Sequence, residues 1–73
     1  MDYKKIMERL GRDCADYRKS IGLTQDAFAM ETGYAQGSIS AFERGNSQSL
    51  RVFLLYVRKG YDVVRLRDML KEV

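Results

Sequence analysis

The sequence predicts an all-α domain built from five short helices. Its 73 residues include no proline, and residues that favour helices, such as Leu, Arg, Lys, Met and Ala, are common. Apolar residues recur at intervals of three and four, whereas no stretch shows the two-residue alternation of a strand. A chain of this length forms one domain and no more, so we expect residues 1–73 to be a single domain with a small core.

The first helix is predicted to run from Tyr3 to Ser20. Gly22 follows it as a stop signal, because glycine readily adopts the left-handed conformation with which many helices end. Apolar residues at spacings of four, four and three define the face that we expect to be buried: Ile6, Leu10, Cys14 and Tyr17. The single cysteine is therefore expected to be a small core residue.

Two shorter helices joined by a tight turn are predicted next. Helix 2 begins after Thr24, whose hydroxyl can accept a hydrogen bond from a free amide of the first turn. Gly33 supplies the positive φ of the turn at little steric cost. Helix 3 then runs from about Gln36 to Arg44, and Gly45 ends it. The side chains expected to face the core are Phe28, Ala29, Thr32, Ile39 and Phe42.

A polar loop at residues 46–49 precedes the last two helices. Helix 4 is predicted from about Ser49 to Lys59. Helix 5 is predicted to begin after Asp62, a candidate N-cap, and to continue to about Glu72. The expected buried stripes are Leu50, Phe53, Leu54 and Val57 on helix 4, and Val63, Leu66 and Leu70 on helix 5.

The composition excludes several classes of site. The absence of histidine excludes imidazole catalysis and histidine-based metal sites, and a single cysteine cannot form an internal disulfide. We find no nucleophile paired with a base, no cluster of metal ligands and no glycine loop that could cradle a phosphate. We therefore expect no enzymatic activity, no cofactor, no metal and no small-molecule ligand.

The sequence also carries no sign of a membrane or secretory segment. No apolar run approaches the roughly 18 residues that a membrane helix needs. The N-terminus alternates charges and lacks the apolar core of a signal peptide. A lone cysteine fits a reducing compartment, so we expect a cytoplasmic protein without membrane contact.

Residues 24–45 carry the pattern that is most informative about function. The small residue Ala29 stands where the second of the two helices must cross the first closely, and Gly33 stands at the turn. The matching positions also include the apolar Phe28, Ile39 and Phe42, the entry Leu23-Thr24-Gln25, and the later runs Ser38-Ile39-Ser40 and Glu43-Arg44-Gly45. In these features the chain resembles the lambda-repressor/Cro-type helix-turn-helix family, and helices 1 and 4 align with it as well. The departures are Thr32 and Tyr34, at usually aliphatic positions, and Gly37, at a position that often contacts a base.

The resemblance implies that the protein binds double-stranded DNA, with the N-terminal part of helix 3 against base edges in the major groove. The residues expected to face the bases are Gln36, Gly37, Ser40 and Ala41. Gln36 is the best reader, because its amide donates and accepts at once, as adenine requires. Ser40 can hydrogen-bond several bases, Ala41 can touch a thymine methyl group, and Gly37 can let the backbone come close. The alternative for Gln36 and Ser40 is an ordinary solvated helix face.

The resemblance places phosphate contacts at the borders of the two-helix unit. Free amides at the start of helix 2 are expected at one flank, beside a glutamine that in the family also braces the first residue of helix 3. The residues expected to contact phosphates are Thr24, Gln25, Tyr34, Arg44, Asn46, Ser47, Gln48, Ser49 and Arg51. Arg12 and Lys19 are further candidates. The alternatives are ordinary turn chemistry for the loop and a solvated face for helix 1.

Charge is unevenly distributed along the chain, whose net charge is +3. Residues 24–43 carry three acidic side chains and no basic one, whereas residues 44–73 carry seven basic and three acidic side chains. The flanks must therefore supply the positive field that DNA requires. Family members often pair Arg with Glu at the positions of Arg18 and Glu43, and we expect this ion pair here. It would cancel one carboxylate and could orient Arg18 toward a phosphate.

Helix 5 has two apolar residues in excess of what one inward-facing stripe requires, Val64 and Met69. We expect them to form the surface of a two-fold symmetric homodimer. A homodimer would read a near-palindromic operator with two copies of helix 3 spaced one turn of DNA apart. The alternative is that helix 5 only closes a monomeric core.

The function that these features favour is a sequence-specific transcriptional regulator, most simply a repressor. Its size and architecture resemble phage Cro-like regulators, which implies the cytoplasm of a bacterium or of a phage-infected host cell. Antitoxin-type autoregulators share the fold and stay an alternative. A second alternative is a protein-binding anti-repressor or adaptor, which the acidic residues 24–43 and the bare Gly37 and Ala41 would suit.

Overall fold

The computed structural model describes residues 2–72, which contain five α-helices and no strand. The helices are α1 (Tyr3–Ser20), α2 (Gln25–Thr32), α3 (Gln36–Glu43), α4 (Leu50–Arg58) and α5 (Val64–Lys71). The predicted all-α fold is confirmed, and every helix lies close to its predicted boundaries. None of the helices in this range is both long and apolar enough to cross a membrane.

Three helices begin at a side-chain cap. Asp2, Thr24 and Ser49 each accept a hydrogen bond from the backbone amide three residues further along, which satisfies one free donor of the first turn. The predicted cap of the last helix differs, because α5 begins at Val64, one residue later than an Asp62 cap would place it. The Asp62 carboxylate accepts from the Val64 amide at 2.9 Å and so stabilises the turn before the helix.

The core is centred on α3, which contacts α1, α2 and α4. Its Ile39 and Phe42 side chains have no exposed surface. Tyr56 of α4 stacks on both Phe28 of α2 and Phe42, with ring centroids 4.6 and 5.7 Å apart respectively. Cys14 is fully buried as predicted, and its burial raises the pKa of the thiol to about 12. The position of α3 therefore depends on packing against all of its neighbours.

The buried face of α4 differs from the predicted one. The residues of this helix that line the core are Val52, Phe53 and Tyr56. Two residues of the predicted stripe, Leu50 and Leu54, are instead 66% and 51% exposed. Both faces of the helix are apolar, so spacing alone does not distinguish them. Tyr56 decides between them, because its ring fills the core while its hydroxyl donates to the buried carboxylate of Glu43.

The predicted apolar stripe of α5 is also wrong in part. Val63 and Leu70 are 50% and 38% exposed, whereas Met69, predicted as a dimer contact, is 6% exposed and belongs to the core. Arg65 faces α1, where its guanidinium donates to both carboxylate oxygens of Asp13 at 2.7 Å. Residues four apart lie on one side of a helix, so Met69 faces α1 as well.

Helix α1 and the end of α3 approach each other closely at two glycines. A Cβ atom on Gly11 would lie 2.3 Å from the Phe42 carbonyl oxygen, and one on Gly45 would lie 2.6 Å from the Glu8 Cα atom. Gly45 also has a φ of +78°, in the left-handed region. The sequence predicts Gly45 as a helix stop, but the need for Gly11 depends on which helix crosses it and cannot be read from spacing.

Candidate nucleic-acid interface

Helices α2 and α3 form a helix-turn-helix unit. Gly33 at the turn has a φ of +76°, and its amide and that of Tyr34 donate to the Ala29 carbonyl at 2.9 and 3.1 Å. The Thr32 hydroxyl donates to the Phe28 carbonyl at 2.8 Å, which satisfies a polar group at a usually aliphatic position. Tyr34 is half-buried and packs against the core. The two departures at aliphatic positions, Thr32 and Tyr34, are therefore accommodated within the turn.

The start of α3 is open to the outside. Ala35 occupies the N-cap position and provides no side-chain hydrogen bond to the first amides of the helix. Gln36 and Gly37 are exposed, whereas Ser40 and Ala41 are half-buried. Nothing lies within 4 Å of the Cβ position on Gly37, so the backbone of the first turn is accessible there.

A chain of hydrogen bonds joins this exposed end of α3 to the interior. Gln36 Nε2 donates to Gln25 Oε1 at 2.6 Å, and Gln25 Nε2 donates to Glu43 Oε1 at 2.9 Å. Glu43 also accepts from Arg18 Nε and Nη2, at 2.8 and 3.0 Å, and from the Tyr56 hydroxyl. The glutamine brace and the Arg–Glu ion pair that the resemblance implies are both present, and they form one network.

Arg18 and Glu43 form a bidentate ion pair in which the two residues are 5% and 8% exposed. Arg18 Nη1 donates to the Leu23 carbonyl at 2.6 Å, so the guanidinium faces the interior and the expectation that it also points toward a phosphate is wrong. Burial acts to raise the pKa of Glu43, but hydrogen bonds from Arg18, Tyr56 and Gln25 outweigh it and hold the pKa below its usual value. The carboxylate is therefore ionised, and Arg18 neutralises it.

A groove on one side of the unit brings basic side chains together around Gln25. Arg12 and Lys19 of α1 line it with Arg44, which follows α3; Glu8 and Asp16 also line it. Within residues 2–72, none of these three basic residues forms an ion pair. Helix spacing leaves the roles of Arg12 and Lys19 undecided, but their location beside Gln25 makes both available to a ligand at this flank.

The other flank consists of the loop at residues 46–49 and the start of α4. Its exposed polar side chains are Asn46, Gln48 and Arg51. Ser47 and Ser49 accept hydrogen bonds from backbone amides, as the capping Thr24 does at α2. The hydroxyls of Thr24, Ser47 and Ser49 thus stabilise turns and helix starts, which is the alternative to a role in DNA binding. Each still has its own hydrogen, which it can donate to a phosphate.

A comparison with protein families assigns this arrangement. A family model described as helix-turn-helix matches residues 15–59, which is more than half of the chain. The chain belongs to the Cro/C1-type helix-turn-helix family. Members of this family are DNA-binding regulatory domains rather than enzymes. Neither the curated proteins nor the solved structures contain a match to the chain.

In this helix-turn-helix protein, two of the three acidic residues of segment 24–43 form ion pairs with basic side chains from outside the segment. Glu43 pairs with Arg18, and Glu31 pairs with Lys59 at the end of α4. Pairing removes most of the negative charge that would repel DNA, and it weakens the case that this segment is an acidic protein-binding surface.

Among residues 2–72, no group of three or more metal-ligating side chains could hold a metal ion.

Two residues of the helix-turn-helix surface and its support are not among the predicted site residues. Ser38 is exposed in the first turn of α3, close to Gln36 along the helix, and its polar character was an available signal. Tyr56 holds the carboxylate of Glu43 from α4, 13 residues away along the chain, and no local pattern indicates it. The base and phosphate contacts themselves stay predictions.

Proposed function

We propose that this protein is a transcriptional repressor that binds a near-palindromic DNA operator as a homodimer. Membership of the family supports DNA binding and regulation in general. The observation that supports sequence-specific reading is Gln36, an exposed amide held by a hydrogen bond at the start of α3, which has no side-chain cap. A side chain that is already held in place loses less conformational entropy when it binds a base.

Base reading would begin at the first turn of α3. Outside its bond to Gln25, Gln36 keeps Oε1 and one Nε2 hydrogen, the acceptor and donor that adenine matches in the major groove. Gly37 has no side chain and would let the backbone approach the DNA. Ser40 and Ala41 lie one turn further along and would contact a polar base edge and a thymine methyl group respectively.

Phosphate binding would come from both flanks of the unit. At one flank, the free amides of α2 lie beside Gln25 and the basic groove. At the other, Arg51 and the polar loop would grip the backbone of the DNA. The remaining proposed contacts are Thr24, Tyr34, Arg44, Asn46, Ser47, Gln48 and Ser49. Such contacts are independent of sequence and set the register of α3.

The direct test is a selection of bound duplexes from a random pool, followed by titration of the selected duplex at several salt concentrations. We expect an enriched near-palindrome with half-sites about 10 base pairs apart. A dimer that neutralises roughly six to ten phosphates should lose about 10³-fold or more in affinity between 50 and 200 mM salt. A protein that binds no duplex at low salt, or enriches no sequence, would refute the proposal.

The proposed dimer surface is now reduced to the start of α5, because Met69 is in the core. Val64 is 40% exposed and follows Val63, which is 50% exposed. Apolar side chains that lie together on a surface favour self-association. A two-fold axis at this point would place Val64 near its own copy.

We expect Val64→Asp to raise the dimer dissociation constant by about tenfold or more, because two like charges would face each other across the axis. Ile21→Asp is the matched control, since Ile21 is 41% exposed and lies at the end of α1. Sedimentation at micromolar concentration measures both variants. A parent protein that is strictly monomeric, free and on DNA, would exclude the dimer.

A protein-binding adaptor or an antitoxin-type autoregulator is the second candidate. The observation that favours it is the exposure of Leu50 and Leu54, which lie one turn apart on α4. An apolar pair of this kind suits contact with another protein. Absence of DNA binding at low salt would favour the adaptor, whereas selection of a half-site would favour the repressor.

A further inference from the structure

We propose that Glu43, acting through Gln25, determines which end of the Gln36 amide faces the DNA, and thereby makes this position select adenine over guanine. The inference rests on the proposed function, because it requires Gln36 to read a base. Glu43 and Gln25 are positioning residues in this account, and only Gln36 touches the base.

The ionised carboxylate of Glu43 sets the direction of the first bond. A carboxylate only accepts hydrogen bonds, and this one accepts from Arg18, from Tyr56 and from Gln25. Gln25 can therefore satisfy Glu43 only with its Nε2 group. The carbonyl oxygen of the Gln25 amide must then point away from Glu43.

The orientation of Gln25 sets that of Gln36. Because Gln25 presents Oε1, Gln36 must donate to it, and the contact from Gln36 Nε2 is 2.6 Å long. This bond uses one of the two Nε2 hydrogens and leaves Gln36 Oε1 unused by the network. The outward edge of Gln36 is therefore one acceptor and one donor.

This outward edge matches adenine and opposes guanine. In the major groove adenine offers an acceptor at N7 and a donor at N6, so both atoms of the Gln36 edge find a partner. Guanine offers acceptors at both N7 and O6, so Gln36 Oε1 would face another acceptor. A Gln36 amide turned the other way would present two hydrogens and suit guanine, but its Oε1 would then face Gln25 Oε1.

The burial of the ion pair makes this polarity hard to reverse. Arg18 and Glu43 are 5% and 8% exposed, so water cannot readily replace a lost contact. If the amide group of Gln25 rotated by half a turn, its carbonyl oxygen would face a buried carboxylate oxygen of Glu43. Both atoms are acceptors, so no hydrogen bond could form between them. The buried Arg18–Glu43 pair thus fixes the orientation of the Gln36 amide at the surface.

Gln25→Lys tests the proposal, because an ammonium group only donates. The lysine can donate to Glu43 as Gln25 does, but it also donates toward Gln36, which must turn its Oε1 inward and its Nε2 outward. We expect the ratio of adenine to guanine affinity at this one base position to fall by about tenfold or more. The added charge strengthens binding to all sequences alike, so the ratio within one variant is the measurement.

Gln25→Met is the companion variant, since it removes both bonds and leaves Gln36 free to rotate. We expect it to lose most of the preference for adenine without gaining one for guanine, and to unfold cooperatively at a somewhat lower temperature because Glu43 loses one hydrogen bond. Should Gln25→Lys fail to fold, this variant alone decides. A parent-like adenine-to-guanine ratio in the folded variants would overturn the inference. Base reading by Gln36 would survive that result if Gln36→Ala abolished the preference, and would be refuted if Gln36→Ala changed nothing. The proposed function as a whole is tested separately, by the selection of duplexes.

Discussion

We expect Arg18→Met to lower the free energy of unfolding by about 3–5 kcal/mol. The substitution leaves the carboxylate of Glu43 charged and nearly buried, with hydrogen bonds from Tyr56 and Gln25 but no neutralising partner. A small domain has a total stability of about 5–15 kcal/mol, so this loss is a large fraction of it. Urea unfolding followed by circular dichroism measures the change.

Two further variants separate burial from charge. Arg9→Met also breaks an ion pair, with Glu72, but both side chains are about half exposed, and we expect the unfolding midpoint to stay almost unchanged. Arg18→Met combined with Glu43→Gln removes both charges, keeps an acceptor for Tyr56, and should recover much of the lost stability. Equal effects of Arg18→Met and Arg9→Met would contradict the role assigned to the buried pair.

The second large effect is expected from Gly11→Ala. Within a helix, alanine is more stable than glycine by roughly 0.5–1 kcal/mol, so helix propensity alone predicts that the substitution stabilises the protein. The added methyl group would lie 2.3 Å from the Phe42 carbonyl oxygen and 2.7 Å from that of Glu43, both of which are backbone atoms. Helix α1 must move away from the end of α3, and we expect a net loss of about 1–3 kcal/mol.

Gly37→Ala is the matched control, because the same methyl group is added to a helical glycine with open space around it. We expect this variant to gain roughly 0.5–1 kcal/mol. The opposite signs of the two substitutions, measured by the same urea titration, are the diagnostic result. Stabilisation by Gly11→Ala would mean that α1 and α3 do not cross as closely as described.

Local chemistry explains how much of the fold could be predicted. The helix boundaries depend on signals within a few residues, such as the caps Thr24 and Ser49 and the turn at Gly33. The two-helix unit combines several such signals at fixed spacing, so its family membership was visible before any coordinates. These features need no knowledge of what packs against them.

The buried faces of α4 and α5 could not be predicted in the same way. Each helix offers two apolar faces, and the choice between them depends on what the other helices place beside it. Tyr56 lies inward, where its hydroxyl meets Glu43, and Met69 lies inward on the side of α5 on which Arg65 meets Asp13. Both partners lie on other helices, and spacing within one helix contains no information about them.

The candidate site shows the same division. Residue types and the family pattern suffice to nominate Gln36, Gln25 and the Arg18–Glu43 pair. They do not show that Gln25 joins Gln36 to Glu43, or that Arg18 is too buried to reach a phosphate. Those statements require the relative positions of α1, α2 and α3.

The central claim is that α3 reads DNA sequence through Gln36 while the flanks bind phosphates without regard to sequence. The most direct test compares Gln36→Ala with Arg51→Ala on the selected duplex and on duplexes that differ from it at single base pairs. We expect Gln36→Ala to lose about 1–3 kcal/mol of discrimination at one position, and Arg51→Ala to weaken all duplexes alike with a shallower salt dependence. A uniform loss from Gln36→Ala, with discrimination kept at every position, would contradict the claim.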